Sequence, residues 1–518
     1  MGDYARSASD ASCETGGGSA LWSVELSGSS ATSTSSQSHK PDYHRREIQV
    51  FEDGLTHLDS LDYLMSNSAA GSLDVASNDK TSPTADDARG RLCEQIKTLV
   101  RQVEVSQQAS KGGALGSASA LKGLELNDGY RSKGIRLLHQ PLAARPLGCT
   151  KLLKRRQLEL WRNYSQSIAP WLDVCGSKRH FQHSIPLLAK GADYLHYAVL
   201  AASSRHLELQ DTGEQGSESA GLYADAVQLL LPEMHTLDTP AIAACILLCV
   251  TELMNNPPQS CQPSLEACAA IMEASDVNVR SSGIQQSLFW AFANLTIANG
   301  SMEARAPVVS MRQFYPTESL STATSYVRAQ TWGEGYAKYA VFLTSGIASV
   351  VANGSSNAKG HQGSTELLRW KVLFDLLEDW HHCRPEVMQA LMSYPSILDD
   401  YRHPFPMVLY DCAAAVVGNL LYHAAAISLL QQKPHTVELP KNQKSLLWHA
   451  RQICGIVAEN HERGVWPYVL QPLWTAGKVI SNGVEREKIV EMLGTSQREC
   501  AWSTEWYITD LKRHWGTN

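Results

Sequence analysis

The sequence holds twelve cysteines, yet no two of them lie three residues apart. They are scattered singly from Cys13 to Cys500, and Cys13, Cys93 and Cys149 stand too far apart to share a metal. A dense thiolate zinc centre needs close-set pairs, so none is expected. A disulfide framework is missing too, which suits a reducing compartment. There is no glycine-flanked nucleophile elbow, no His-Glu-x-x-His helix and no phosphate-cradling glycine loop, so the commonest hydrolase, metalloprotease and nucleotide chemistries have no anchor. Excess positive charge is also lacking. Lys and Arg number 45 against 52 Asp and Glu, a net charge of −7, so any contact with nucleic acid must be local. The N-terminus, Met1 to Arg6, has no apolar core for a signal peptide, and Arg6 stands where a myristoylation motif has Ser or Thr. Secretion is not expected, and the Asn-x-Ser/Thr triplets at Asn163, Asn294, Asn299 and Asn353 read as chance matches. The longest apolar run, Met407 to Leu430, contains Asp411, Asn419 and His423, which are costly in lipid; it reads as a buried core helix. No membrane span is expected.

What is present divides the chain in two. Ser, Thr, Gly, Ala and Asp dominate Ser7–Ser38 and Ser66–Arg91, a composition that cannot bury enough apolar surface to offset chain entropy. Residues 1–145 are therefore expected to form a mostly disordered arm. One island interrupts it: Phe51 to Met65 alternates acidic with bulky apolar residues, among them Phe51, Leu55, Leu58, Leu61, Tyr63, Leu64 and Met65. Its charges keep it soluble while its apolar side chains suit a partner's groove, as in amphipathic activation segments; a weak helix docking on its own domain is the alternative. A second short amphipathic helix is expected from Arg91 to Val105, through Leu92, Ile96, Leu99 and Val103.

The folded part begins near Lys151 and reads as helical throughout. Leu152, Leu153, Leu158, Leu160, Trp161, Tyr164 and Ile168 recur at helical spacing, with an end expected at Ala169-Pro170. Further helices follow over Tyr194–His206, Leu222–Leu231, Pro240–Glu252 and Gln285–Ala298. Ser301 to Thr331 reads as a loop, and the Gly/Ser-rich linker Asn353–Ser364 separates helices over Tyr339–Val351 and Leu367–Cys383. Phe405-Pro406 is expected to start the long alanine-rich helix. No period-2 strand pattern of consequence is present.

The last seventy residues carry the clearest punctuation. Ser445 opens a helix through Leu446, Ala450, Ile453 and Val457, Trp466-Pro467 breaks it, and Pro472 sits where another begins. Ser481-Asn482-Gly483 stops that one; a third runs from Glu485 to Gly494, and Ser496 with Glu499 reads as a capping box opening a fourth, which ends on Tyr507, Leu511 and Trp515. His449-Ala-Arg-Gln-Ile-Cys-Gly-Ile-Val457, Gln471-Pro-Leu-Trp-Thr-Ala-Gly477, Glu485-Arg-Glu-Lys-Ile-Val-Glu-Met-Leu493 and Trp502…Trp506…Leu511…Trp515-Gly516 together resemble the C-terminal end of the fungal binuclear zinc-cluster transcription factors. The resemblance extends over 151–516. Ile185-Pro186, the alanine-rich stretch ending at Arg205-His206, and Tyr422-His423 fall where that family has its Ile-Pro, its alanine-rich helix and its tyrosine-histidine pair.

The resemblance implies an all-α, multi-helix regulatory domain behind the arm. It further implies a nuclear transcriptional regulator of metabolic genes, such as a secondary-metabolite cluster, rather than an enzyme. The family's zinc cluster is missing from the sequence: the chain has lost it, belongs to a longer gene product, or works without it. Direct DNA binding is then not expected. The implied partners are other transcription factors or coactivators, or a second copy of the chain, and no cofactor is expected.

Four constellations remain. Lys151, Lys154, Arg155 and Arg156 form the densest basic cluster, a nuclear import signal, a phosphate contact or a solvated helix face. Cys245 and Cys249 lie four apart among Ile, Leu and Val and read as core. His381-His382-Cys383 beside Asp379 reads as a surface cap, because adjacent helical residues diverge. Asp399-Asp400 with Asp375, Glu378 and Asp379 could hold a divalent cation in the alternative reading, an all-α metabolite-binding protein or enzyme on the same scaffold.

Overall fold

The computed structural model describes residues 152–210, 217–234, 237–299, 333–356, 363–396 and 403–517, with the isolated positions 308, 309 and 314. The island at Phe51–Met65, the helix expected at Arg91–Val105, Lys151, Asp399-Asp400 and most of Ser301–Thr331 lie outside them.

The described chain is helical almost throughout, as the sequence indicates. Its helices are α1 (Lys154–Asn163), α2 (Ala169–Leu172), α3 (His180–His183), α4 (Ile185–Leu188), α5 (Asp193–Gln210), α6 (Ser217–Glu233), α7 (Thr239–Asn255), α8 (Pro258–Ala274) and α9 (Gly283–Asn299). They continue with α10 (Glu334–Ser356), α11 (Gly363–His382), α12 (Ala413–Gln431), α13 (Leu446–Glu459), α14 (Leu470–Val479), α15 (Gly483–Cys500) and α16 (Glu505–Trp515). In one layer α5 packs against α1, α6 and α7, and α7 against α8. In the other α12 is the hub, with α10, α11, α13 and α14 around it. Helix α9 touches α7, α10 and α14 and so joins the two layers into one core that runs from Tyr164 to Leu511.

The hub shows why a run long enough to cross a bilayer is a core helix. Ala413–Gln431 has the length and apolarity of a span, and 89% of that window is buried inside the fold. Its polar groups find partners within the helix and on its neighbours. Asn419 Nδ2 donates to Met388 O at 2.9 Å and Ala415 O at 2.8 Å, and Ser428 Oγ donates to Ala424 O at 3.1 Å. Its small residues let neighbours approach, since a Cβ at Gly418 would meet Met388 Cε at 2.8 Å and Trp380 Cζ2 at 3.3 Å. Capping follows the sequence signals at several ends. Asp238 accepts from Ala241 N at 2.9 Å ahead of Pro240, Ser445 from Trp448 N at 3.1 Å, and Asn482 from Val484 N at 2.9 Å.

The structure departs from the sequence pattern at three places. The chain does not leave the helix at Ala169-Pro170. A π-turn over Tyr164–Ile168, in which Ala169 N donates to Tyr164 O, carries it through Pro170 into α2. Ser496 opens no helix either. It is buried in the middle of α15 with its hydroxyl on Trp466 O at 3.1 Å, and the break falls instead at Ala501, whose φ is +59°. Phe405-Pro406 leads not into α12 but into a strand. Strands β1 (Met392–Tyr394) and β2 (Met407–Leu409) pair antiparallel in the register Met392↔Leu409, Ser393↔Val408, Tyr394↔Met407, a hairpin that no periodicity announces. Asn460 at the end of α13 closes the far side of β2, giving Nδ2 to Val408 O at 2.7 Å and accepting Tyr410 N at 2.9 Å. Gly455 makes this fit possible: a Cβ there would lie 2.0 Å from Pro406 O.

Candidate functional site

Three arrangements could carry function. The first is a polar hub between α11, α12 and α13. Nδ1 of His423 and Nδ1 of His449 are 3.0 Å apart, so one donates and the other accepts. Both are buried; burial pushes His449 down to about 4 and lowers His423 well below the ordinary range, the neighbouring histidine adding to the effect on His423. Tyr422 stacks on His381 at 4.5 Å and on Trp380 at 5.6 Å, and its hydroxyl reaches Glu378 Oε1 at 3.4 Å. Arg384 lies 2.9 Å from His381 Nε2, gives a hydrogen bond to His381 O at 2.8 Å and donates to Asn419 Oδ1. Burial first and the Arg384 charge second drive His381 down to about 3. These rings are neutral at physiological pH and tie three helices together.

The second is an open cavity of about 1080 Å³ where the N-terminal ends of α10 and α12 meet the turn after α2. Asp173, Glu334, Asp411 and Glu462 line it together with Arg179, Lys338 and Arg463. The Asp173 carboxylate accepts Phe181 N at 3.0 Å and Gln182 N at 2.9 Å, yet burial outweighs those bonds and raises it to about 6. Glu462 is also raised, by burial and then by Asp411. A cavity of this size with charges of both signs suits a polar small molecule.

The third is the outer face of α1. Leu160 turns inward onto Leu200, Ala201 and Leu222, while Lys154, Arg155, Leu158 and Arg162 are exposed. Of the basic cluster named from sequence, Arg156 alone is tied down among the described residues: its guanidinium reaches Glu218 on α6 at 2.9 Å and Glu159 at 3.0 Å. Lys154 and Arg155 point outward. Sequence reasoning missed Arg162 and took Leu158 only as part of the apolar pattern, although their spacing from Arg155, i+7 and i+3, puts all three on one stripe.

The remaining sequence candidates are not gathered into a site. Asp375 is exposed, Glu378 holds Tyr422, and Asp379 accepts the Cys383 thiol at 3.3 Å. Among the described residues no three His, Cys, Asp or Glu converge as metal ligands. Cys245 and Cys249 are buried in the core with Cys261 and Cys268. No sequence signal could have assembled the cavity, because its lining runs from Gln166 to Gly464.

The described body is helical apart from one short hairpin, with a buried polar hub and an open, mixed-charge cavity. Residues 159–326 match the model of the fungal specific transcription factor domain, and that part of the chain is such a domain. The chain is also similar to "Transcription activator AMTR1" of Alternaria alternata, with 25% identity over 192 residues, spanning 33% of this chain and 25% of that protein's length. The chain thus spans about a quarter of the curated relative it matches. No solved structure matches.

Proposed function

We propose that the protein is a nuclear transcriptional regulator of metabolic genes, and specifically of a secondary-metabolite gene cluster. The observation that carries this reading is the transcription factor domain at 159–326; the likeness to an Alternaria transcription activator supports it. The helical body acts through protein contacts, with other transcription factors, coactivators or a second copy of the chain, rather than through catalysis. The segment Phe51–Met65 recruits those partners, and Lys151, Lys154 and Arg155 contribute to nuclear import. The cavity of about 1080 Å³ favours a second role within the same scheme, the binding of a polar metabolite that biases the regulator.

Two measurements test it. Fused whole to a heterologous DNA-binding domain, the chain changes transcription of a reporter. Deletion of its gene lowers or raises transcripts of a contiguous set of biosynthetic genes in RNA sequencing. An inert fusion together with an unchanged transcriptome would overturn the proposal.

A further inference from the structure

We propose that the acidic segment Phe51–Met65 docks on the outer face of α1, so that the arm and the basic helix face cover one another. The face is built for an acidic, apolar partner. Leu153 is 79% exposed and Leu158 61%, among the most exposed large apolar side chains described. Arg155, Leu158 and Arg162 follow one another at i, i+3 and i+7, with Lys154 alongside. Among the described residues Lys154, Arg155 and Arg162 form no ion pair, and Glu159, the acidic residue on this side, is already held by Arg156. Among the described residues, a basic helix face flanked by exposed leucines therefore stands without countercharge.

The proposed occupant has the complementary pattern. Between Phe51 and Met65 stand Glu52, Asp53, Asp59 and Asp62 and no Lys or Arg. Phe51, Leu55, Leu58, Asp62 and Met65 recur at spacings of four, three, four and three, so a helix formed on docking would lay Phe51, Leu55 and Leu58 along one stripe, with Glu52 and Asp59 beside it and Asp62 in line. Position in the chain makes the meeting effective. The arm enters the described body at Leu152, immediately before α1. Residues 66–151 separate the segment from α1, and a flexible chain of that length would span roughly 50 Å root-mean-square. Such a tether gives an effective concentration in the millimolar range, enough for a contact that exposed ion pairs alone would leave weak.

The docking stands on geometry and charge and does not need the transcriptional reading. Its consequence does rest on it: the recruiting segment and the basic face become available together, when something displaces one from the other.

Amide hydrogen exchange on the full chain at low salt reads the contact directly. Exchange across 51–65 is expected to be about tenfold slower than in the isolated synthetic peptide, and to speed up at high salt. Arg155→Glu with Arg162→Glu removes that protection, and adding Asp59→Lys with Asp62→Lys restores it. Arg156 is left untouched because it holds α6. Exchange at the peptide rate in the unaltered chain overturns the proposal, as does protection that ignores charge reversal. If the reversal instead abolishes retention on a nonspecific DNA duplex and leaves exchange unchanged, the face is a phosphate contact and the proposal fails. A reporter assay on the same variants separates this result from the functional reading, since docking can hold while the reporter stays silent.

Discussion

Gly455→Ala tests the close approach between α13 and the hairpin. The added Cβ would lie 2.0 Å from Pro406 O and 3.0 Å from its carbonyl carbon, and both belong to backbone that cannot rotate away. Ordinary contact needs more than 3 Å, so α13 and β2 must separate by about 1 Å or more. Overpacking of this kind costs about 1–3 kcal/mol. The separation also loosens the two hydrogen bonds by which Asn460 holds Val408 and Tyr410, at about 1 kcal/mol each. Alanine's better helix propensity returns about 1 kcal/mol. The net expectation is a loss of roughly 2–4 kcal/mol, read as a lower urea midpoint with unchanged slope. Gly494→Ala is the matched control inside α15: its Cβ meets nothing closer than Arg498 Nη1 at 3.8 Å, so the same substitution should stabilise by about 0.5–1 kcal/mol. If the two variants shift stability alike, the steric reasoning is wrong.

Glu208→Ala removes a carboxylate that lies 3.3 Å from Arg205 and accepts Ser219 N at 2.9 Å and Ser219 Oγ at 2.6 Å. The Arg205 and Glu208 side chains are only 7% and 6% exposed, so the loss should be about 3–5 kcal/mol in chemical denaturation, far above that of Glu159→Ala at the surface. Acid should weaken the fold below about pH 6.5. His206 and His449 titrate at about 4 when folded and His381 at about 3, so between those values and 6.5 the unfolded chain binds protons that the folded chain refuses. Each such histidine steepens the loss by up to about 1.4 kcal/mol per pH unit, and His449→Gln should flatten it by one such share. Asp173, raised to about 6, works the other way: it adds stability as pH falls from 6 to about 4, so Asp173→Asn should steepen the acid loss over that range in the same assay. Tyr223→Phe deletes the 2.5 Å bond to the half-buried Glu252, whose other oxygen takes Ser264 Oγ at 2.6 Å; a loss of about 1.5–3 kcal/mol is expected in the same denaturation assay.

How far the sequence reveals this protein depends on the range of each interaction. The α12 hub was legible because its alanines and leucines are contiguous, and Ser445 was legible because a cap bonds three residues away; Asn482 was read only as a stop, though it caps α15. Ser496 misled for the opposite reason: its acceptor, Trp466 O, lies thirty residues upstream in another turn. Pro170 misled because a π-turn has no composition signature. The hairpin escaped because three-residue strands are too short to alternate, and β1 exposes both faces. On α1, Lys154 and Arg155 looked no different from Arg156, and only the placement of Glu218, sixty-two residues on, separates a tether from free cations. The cavity was beyond sequence altogether, since its charges come from segments nearly three hundred residues apart.

The span between Trp171 and Tyr468 carries a consequence for synthesis. The Tyr468 hydroxyl donates to Trp171 O at 2.6 Å across 297 residues, and the Trp171 ring meets Trp502 edge-on at 6.1 Å. Helix α2 thus closes on partners that a ribosome makes about three hundred residues later. At 5–20 residues per second, Trp171 waits about 15–60 s for Tyr468, with its apolar face open to chaperones in the meantime. A nascent chain stalled or cut after the matched segment at residue 326 would carry its transcription factor signature and still lack the residues that seal it.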